Sequence, residues 1–291
     1  MNPFPGPFLA RSSARAMFVP ALRHWRWWFR SPEYRAWLRF NRKLGREPRR
    51  RPGTVTFRGQ RIGYVDAASF LSAWHEIFVL GGYEVRPPVG GGVPLLIDAG
   101  ANIGLAALFW KTRYSVFRYI GFEPDPAVAE ACRANLAAWE CGGTLHEAAV
   151  AGHVGRQRFG RDYADGGALG AATTAAETIE VATVRLADFL VEPVDLLKID
   201  VEGAEDEVLA DIESQLGWVR NLFVEVHSAR GEPQRWGALV DRLQRAGFRC
   251  YVRPLLPPWR PFIEPSPGGA AYDEQFNVFA VRPAAQTGSS S

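Results

Sequence analysis

"LLIDAGANIG", residues 95–104, decides the fold. An apolar run with no polar alternation ends in Asp98, and a tight glycine loop with an asparagine inside it follows at once. An uninterrupted apolar run of this length marks a strand covered on both faces. Gly100 and Gly104 let the backbone approach a ligand closely. The segment "IGLAALFWKT" then starts a helix whose N-terminus points back at the loop.

The same alternation continues outward. "YIGFEPD" is a second strand, and "PAVAEACRANLAAW" a helix with proline in its first turn. "TLHEAAV" is a third strand. "VDLLKIDVEG" is a fourth, leading into the helix "AEDEVLADIESQL", and "NLFVEVH" a fifth, leading into "PQRWGALVDRLQRAG". "RCYVRP" and "QFNVFAVRP" close the chain as two strands with no clear helix between them, so one of the two runs antiparallel. Apolar strands bounded by helices imply a mostly parallel α/β sheet with helices on both faces. Upstream, "TVTFRGQRIGYV" has the form of a hairpin turning at "RGQ", and "AASFLSAWHEIFVLGGYEV" that of a helix ending at Gly81-Gly82.

The net charge of +3 conceals an asymmetry. Residues 1–53 hold 13 Lys/Arg against two acids, a formal +11, while the rest holds 21 against 29, a formal −8. A basic, Trp/Arg-rich, helical N-terminal extension, 1–53, therefore precedes an acidic body, 54–291. In that body 54–94 supply the hairpin and helix, 95–282 the core sheet, and 283–291 a disordered tail. Cys132, Cys141 and Cys250 have no metal or CxxC spacing and are taken as thiols of a reducing compartment. With no membrane-length apolar run and no compact secretory signal, a cytoplasmic location is expected. Within 18–44, Trp25, Trp27, Trp28, Phe29, Trp37, Leu38 and Phe40 interleave with arginines. Two readings stand side by side: peripheral contact with an anionic membrane at its inner face, or packing on the body as an extra helical layer.

The ligand is narrowed by charge. In doubly wound sheets ligands sit beyond the carboxyl ends of the strands. The dinucleotide pattern GxGxxG is absent, and Asp98 would repel a pyrophosphate but suit an ammonium group. Glu123, at the end of the second strand, has the spacing of an acid that takes ribose hydroxyls. A ribose and an amino-acid ammonium without a phosphate describe S-adenosylmethionine. Asp98, Gly100, Asn102, Gly104 and Glu123 are its expected contacts.

"IDAGANIG", "GFEPDP", "EAAVAGHVGRQRF" and "DLLKIDVEGAEDEVL", with "SFLSAWHEIFVLGGYE" before them, resemble the FkbM family of S-adenosylmethionine-dependent methyltransferases over about residues 54–282. The resemblance implies the class I, Rossmann-like fold with a seven-stranded sheet, and O-methylation of hydroxyls on sugars or natural products. A small-molecule, glycan or lipid-linked sugar acceptor is expected. Nucleic acid is not, because an acidic body repels phosphates. Two other classes compete: a nucleotide-cofactor (NAD-type) oxidoreductase, disfavoured by the missing GxGxxG, and a non-catalytic membrane-associated module that kept the fold.

"KIDVEGAE" is the second chemical centre. Lys198, charged within an apolar strand, must find a partner if buried. Asp200 falls at the carboxyl end of its strand, beside the expected methyl group, with Glu202 and Glu205 at the following helix start. His227 ends the fifth strand, two residues after Glu225 on the same face. Asp200, Glu202 and His227 are the expected catalytic residues, with Asp200 or His227 as the base. No metal is assigned, since no compact ligand spacing is present, although this trio could gather a divalent cation as in some O-methyltransferases. His75 and Glu76 either line the site or pack. Asp162 and Asp165 are expected in solvent, and Trp259 and Phe262 are candidates for stacking on a sugar.

Overall fold

The computed structural model describes residues 31–86, 88, 91–161, 168–169, 177–229, 231–255, 262–263 and 272–283. Trp25, Trp27, Trp28, Phe29, Asp162, Asp165, Trp259 and the expected tail from residue 284 lie outside them.

The main sheet has seven strands: β3 (Leu95–Ala99), β4 (Arg118–Phe122), β5 (Thr144–His146), β10 (Leu196–Ile199), β11 (Asn221–Ala229), β12 (Arg249–Pro254) and β13 (Tyr272–Val281). Their order is β12-β13-β11-β10-β3-β4-β5. Pairing from β11 through β10, β3 and β4 to β5 is parallel. β13 runs antiparallel to both its neighbours, which identifies the reversed strand of the final pair. The chain winds outward from β3 to β5 and then returns to place β10 on the other side of β3. The switch point therefore lies between β3 and β10, with Ala99 beside Ile199. β3 and β10 are buried at every position, as their apolar runs require.

Helices α3 (Leu105–Arg113) and α4 (Pro126–Ala138) cover one face, and α5 (Glu205–Asp211) and α6 (Trp236–Arg245) the other. A second sheet, β6-β9-β7-β8, escaped the sequence reading: β6 (Ala149–Ala151), β7 (Gly155–Arg161), β8 (Ala168–Leu169) and β9 (Glu177–Arg185). "TLHEAAV" accordingly divides into β5 and β6, one in each sheet.

The hairpin β1 (Gly53–Phe57) and β2 (Gln60–Tyr64) turns on Arg58-Gly59, both at positive φ. That is the primed geometry that matches strand twist. Helix α2 (Ala67–Trp74) runs on as a π-helical turn, His75–Val79, and stops at Leu80, just before Gly81 at positive φ.

The N-terminal extension is not detached from Ser31 onward. Ser31 caps α1 (Pro32–Leu44), accepting from the Tyr34 amide, and Pro32 occupies the first turn. Ala36, Phe40 and Leu44, four residues apart, are buried in the same core as the hairpin and α2. Phe40 meets Trp74 edge-on at 5.1 Å, and Trp74 stacks on Phe78 at 3.9 Å. The Trp37 indole donates to the Leu71 carbonyl, and that of Trp74 to the Glu33 carbonyl. Residues 32–44 of the expected extension therefore share a core with the hairpin and α2. Within α1, Phe40 and Leu44 are buried in the body and so removed from any membrane contact, while Leu38 stays exposed. Among the described residues no helix is long and apolar enough to cross a membrane.

Candidate active site

A cleft of about 580 Å³ opens at the carboxyl ends of β3, β4 and β10, against the π-helical turn. Its floor is fixed by the crossing of two loops. Gly100 has φ of +85° and packs against the backbone of Asp200, whose amide donates to the Ala99 carbonyl. Lys198 ties them together. Its Nζ donates to the Gly100 carbonyl at 2.6 Å and pairs with Asp200 at 3.2 Å and Asp98 at 3.4 Å. The charge expected to need a partner inside an apolar strand has three oxygens around it. The Asp200 and Asp98 carboxylates outweigh its burial and raise the lysine pKa above its ordinary value, so it remains an ammonium.

Asp98 is fully buried and lines the cleft. The Tyr119 hydroxyl donates to its Oδ2, while Oδ1 has no hydrogen bond. Glu123, at the end of β4, organises the glycine loop by accepting from the amides of Asn102 and Asp125, both at 2.9 Å. Asn102 stands at φ of +49°, its own Oδ1 accepting from the Ile103 amide. Burial pushes the Glu123 carboxyl up to about 7, against the pull of those two amides. Asp98, Gly100, Asn102 and Glu123 all line the cleft. Gly104 does not. It begins α3 at φ of +84°, and a side chain there would meet Cys132 Sγ at 3.0 Å, so helix packing requires its glycine.

Opposite the loop lies an acidic wall. Asp200 and Glu202 line the cleft, with Glu225 and Glu76 beside them. Glu76 comes from the π-helical turn and accepts from the Asn277 amide nitrogen. Burial, reinforced by Glu225 and Asp200, raises its pKa to about 7. Burial also raises Glu202, to about 8, although His227 beside it pulls the other way. His75, by contrast, turns away and packs on Trp37 at 5.1 Å. Phe262 is fully exposed, with no part in the cleft wall.

His227 is not where a base must be. Its side chain is 1% exposed and lies behind the cleft wall. Nδ1 lies 2.9 Å from Glu205, and the ring packs on Tyr272. Burial alone would lower its pKa, but Glu205 and Glu202 outweigh that and hold it well above the ordinary range. Of the two expected bases, Asp200 lines the cleft and His227 does not. Glu76 and Glu225, which the sequence reading left undecided or treated only as a neighbour, belong to the wall.

One reversed strand inserted beside a parallel set, a carboxylate closing the second strand and an acid-lined cleft at the switch point define a class I methyltransferase. The pattern of the "Methyltransferase FkbM domain" matches residues 98–250, and the chain belongs to that family. It is 30% identical over 232 residues to "31-O-demethyl-FK506 methyltransferase FkbM" of Streptomyces tacrolimicus, spanning 65% of this chain and 86% of that protein. It is 32% identical over 203 residues to "Methyltransferase sdnD" of Sordaria araneosa, spanning 51% and 73%. To "2-O-methyltransferase NoeI" of Sinorhizobium fredii it is 29% identical over 153 residues, spanning 45% and 63%.

The methyl donor is S-adenosylmethionine, and the cleft fits it. The Glu123 oxygens each accept one amide and retain lone pairs for further donors. Asp98 Oδ1 faces the Lys198 ammonium at 3.4 Å and can accept a further donor from the cleft, and the surrounding carboxylates favour a sulfonium over a phosphate. A cleft of this size lies within the usual range for small-molecule sites, roughly 300–1,000 Å³. A pH dependence follows. Hydroxyl donors bind the ionised Glu123 better than the protonated form, so cofactor affinity should rise with pH through about 7. Between pH 6 and pH 8 the gain attributable to this group is up to about tenfold. In Glu123→Gln, calorimetry should show weaker binding, by about 1–3 kcal/mol at pH 8, with that pH dependence gone. An unchanged pH profile in the variant would remove Glu123 from the cofactor site.

Proposed function

We propose that this methyltransferase acts on oxygen, transferring methyl to a hydroxyl of a sugar or natural-product acceptor. The observation that carries the reading is the Asp200 carboxylate, presented into the cleft at the carboxyl end of β10 beside the crossing with the glycine loop. S-adenosylmethionine supplies an electrophilic methyl carbon on a sulfonium. Asp200, held by Lys198 through Oδ2, accepts the hydrogen bond of the attacking hydroxyl and orients its oxygen. As the new carbon–oxygen bond forms, the carbon–sulfur pair withdraws onto sulfur and the hydroxyl proton passes to a carboxylate of the wall. An isolated aspartate is a weak base for an alkyl alcohol. Glu202, near 8, and Glu76, near 7, are better matched to that proton at neutral pH. Positioning the oxygen about 3–3.5 Å from the methyl carbon contributes the rest.

The acid wall also bears on the acceptor. Glu76, Asp200, Glu202 and Glu225 face the cleft, and the neighbouring ammonium, Lys198, is bonded within the floor. A neutral, hydroxyl-rich acceptor suits this lining, whereas a phosphate backbone does not. The relatives named for O-methylation agree with oxygen as the target. The test is turnover of S-adenosylmethionine to S-adenosylhomocysteine against a panel of sugars and hydroxylated natural products, with the product methyl located by NMR. A methyl found on nitrogen or carbon would overturn the reading.

A further inference from the structure

The geometry points to a divalent-cation site formed by Asp200, Glu202 and His227, at the acceptor end of the cleft. One oxygen of each carboxylate and one ring nitrogen of the histidine lie within 4.8 Å of one another. The residues come from two separate elements, the turn after β10 and the strand β11, so the cluster is made by the fold and not by local sequence.

The acids alone would not be evidence. The independent observation is His227 Nε2. The residue is 8% exposed, and this nitrogen is buried with no hydrogen-bond partner. It points at Glu202 at 3.4 Å and Glu225 at 3.6 Å without bonding either. A buried nitrogen without a hydrogen bond is costly, and a divalent ion among these acids would displace the proton they favour on the ring and take the nitrogen as a ligand. The other nitrogen is already oriented. Nδ1 sits 2.9 Å from Glu205 Oε1, and that same oxygen accepts from the amides of Val201 and Gly203. A carboxylate holding the far nitrogen of a histidine is the usual support of a metal-binding imidazole, fixing tautomer and ring plane.

Glu202 is held with similar care. Its backbone stands at φ of +57°, uncommon for a residue with a side chain. The Tyr272 hydroxyl donates to its carbonyl at 3.1 Å. Strain of this kind persists where the surroundings enforce it, typically at functional sites. Charge supports an ion as well, because Asp200, Glu202, Glu205 and Glu225 crowd around one imidazole.

The donor set, one imidazole and two carboxylates, suits a first-row divalent ion such as Mn²⁺ better than the all-oxygen preference of Mg²⁺, with water or acceptor oxygens in the remaining positions. Resting on the O-methyl reading, the site favours acceptors with neighbouring hydroxyls. The ion would hold the attacking oxygen and ease loss of its proton, and with Glu202 engaged as a ligand the proton would pass to Glu76, which lines the cleft outside the ligand set.

Mn²⁺ titration of the EDTA-treated full chain, followed by electron paramagnetic resonance and calorimetry, tests the site. One Mn²⁺ per chain is expected, with a nitrogen coupling that disappears in His227→Gln. Glu205→Gln should weaken binding about 10–100-fold, Glu202→Gln at least as much, and Glu123→Gln not at all. Absence of stoichiometric binding up to millimolar Mn²⁺, or equal affinity in wild type, Glu202→Gln and His227→Gln, would overturn the proposal. S-adenosylmethionine calorimetry on the same samples separates the two readings: a chain that binds cofactor but not Mn²⁺ loses the ion alone, whereas one that binds Mn²⁺ and methylates nitrogen or carbon loses the O-methyl reading.

Discussion

Asp200→Ala should lower turnover by about 10²–10⁴-fold, the range for removing a group that handles the proton of the attacking atom, while leaving cofactor affinity within a few-fold of wild type. The separation follows from the geometry. Glu123 and the glycine loop lie on the β3–β4 side of the cleft, and Asp200 on the β10 side, where only its backbone touches the loop. Removal of the carboxylate leaves Lys198 still paired, to Asp98 at 3.4 Å and to the Gly100 carbonyl at 2.6 Å, so the floor should hold. Asp200→Asn is the sharper variant, since it keeps the shape and loses only the charge. Steady-state kinetics with the true acceptor, beside calorimetry with S-adenosylmethionine, measures both effects. If kcat falls less than about tenfold in Asp200→Ala, the proton and the orientation belong to Glu202, Glu76 or Glu225. If affinity for the cofactor collapses along with kcat, Asp200 acts by holding the loop.

The parts of this site that were legible in the sequence are those where one residue type leaves few alternatives. The apolar runs of β3 and β10 signalled a parallel sheet because every position in them is buried. Glu123 was found by its distance from the glycine loop, and Lys198 because an ammonium inside such a run demands oxygens. The residues that sequence alone misplaced are those whose role depends on what crosses above them. Gly104 sits in the same motif as Gly100, but the helix α4 that explains it is packed on from elsewhere in the chain. His227 ends its strand at the mouth, as its position implied, yet three glutamates around it decide its protonation, and two of these, Glu202 and Glu205, come from the turn and helix after β10. Glu76 faces the cleft because the last turn of its helix is widened, a geometry that periodicity does not encode. β9 did carry a signal in "TIEVATVR", whose alternate positions Val181 and Thr183 are buried. In α1 the four-residue spacing of Ala36, Phe40 and Leu44 was present, but a core and an anionic membrane select the same stripe, so only the packing separates them.

Gly100→Ala should be more damaging than any substitution of this size elsewhere in the loop, with loss of cofactor binding and about 2–5 kcal/mol of stability. Two costs add. At φ of +85° a residue with a side chain is strained, by about 1–2 kcal/mol. The new methyl would also overlap the Asp200 carbonyl oxygen and lie 3.0 Å from its carbon. Overpacking in a fixed site costs about 1–3 kcal/mol, and here the obstruction is backbone at the end of a fully buried strand, with no flexible side chain to swing aside. Relief requires the loop to move away from β10. That movement pulls the Gly100 carbonyl from Lys198 and tilts the amides that Glu123 aligns. Gly59→Ala is the matched control, since it too has positive φ, +82°, but nothing within 4 Å of an added methyl. It should pay only the strain term and retain the cofactor. Thermal unfolding and S-adenosylmethionine calorimetry on both variants decide the matter. Equal losses of stability and unchanged affinity in both would mean that conformation alone requires the glycine, and that the close crossing of the β3 loop over β10 does not hold the active site together.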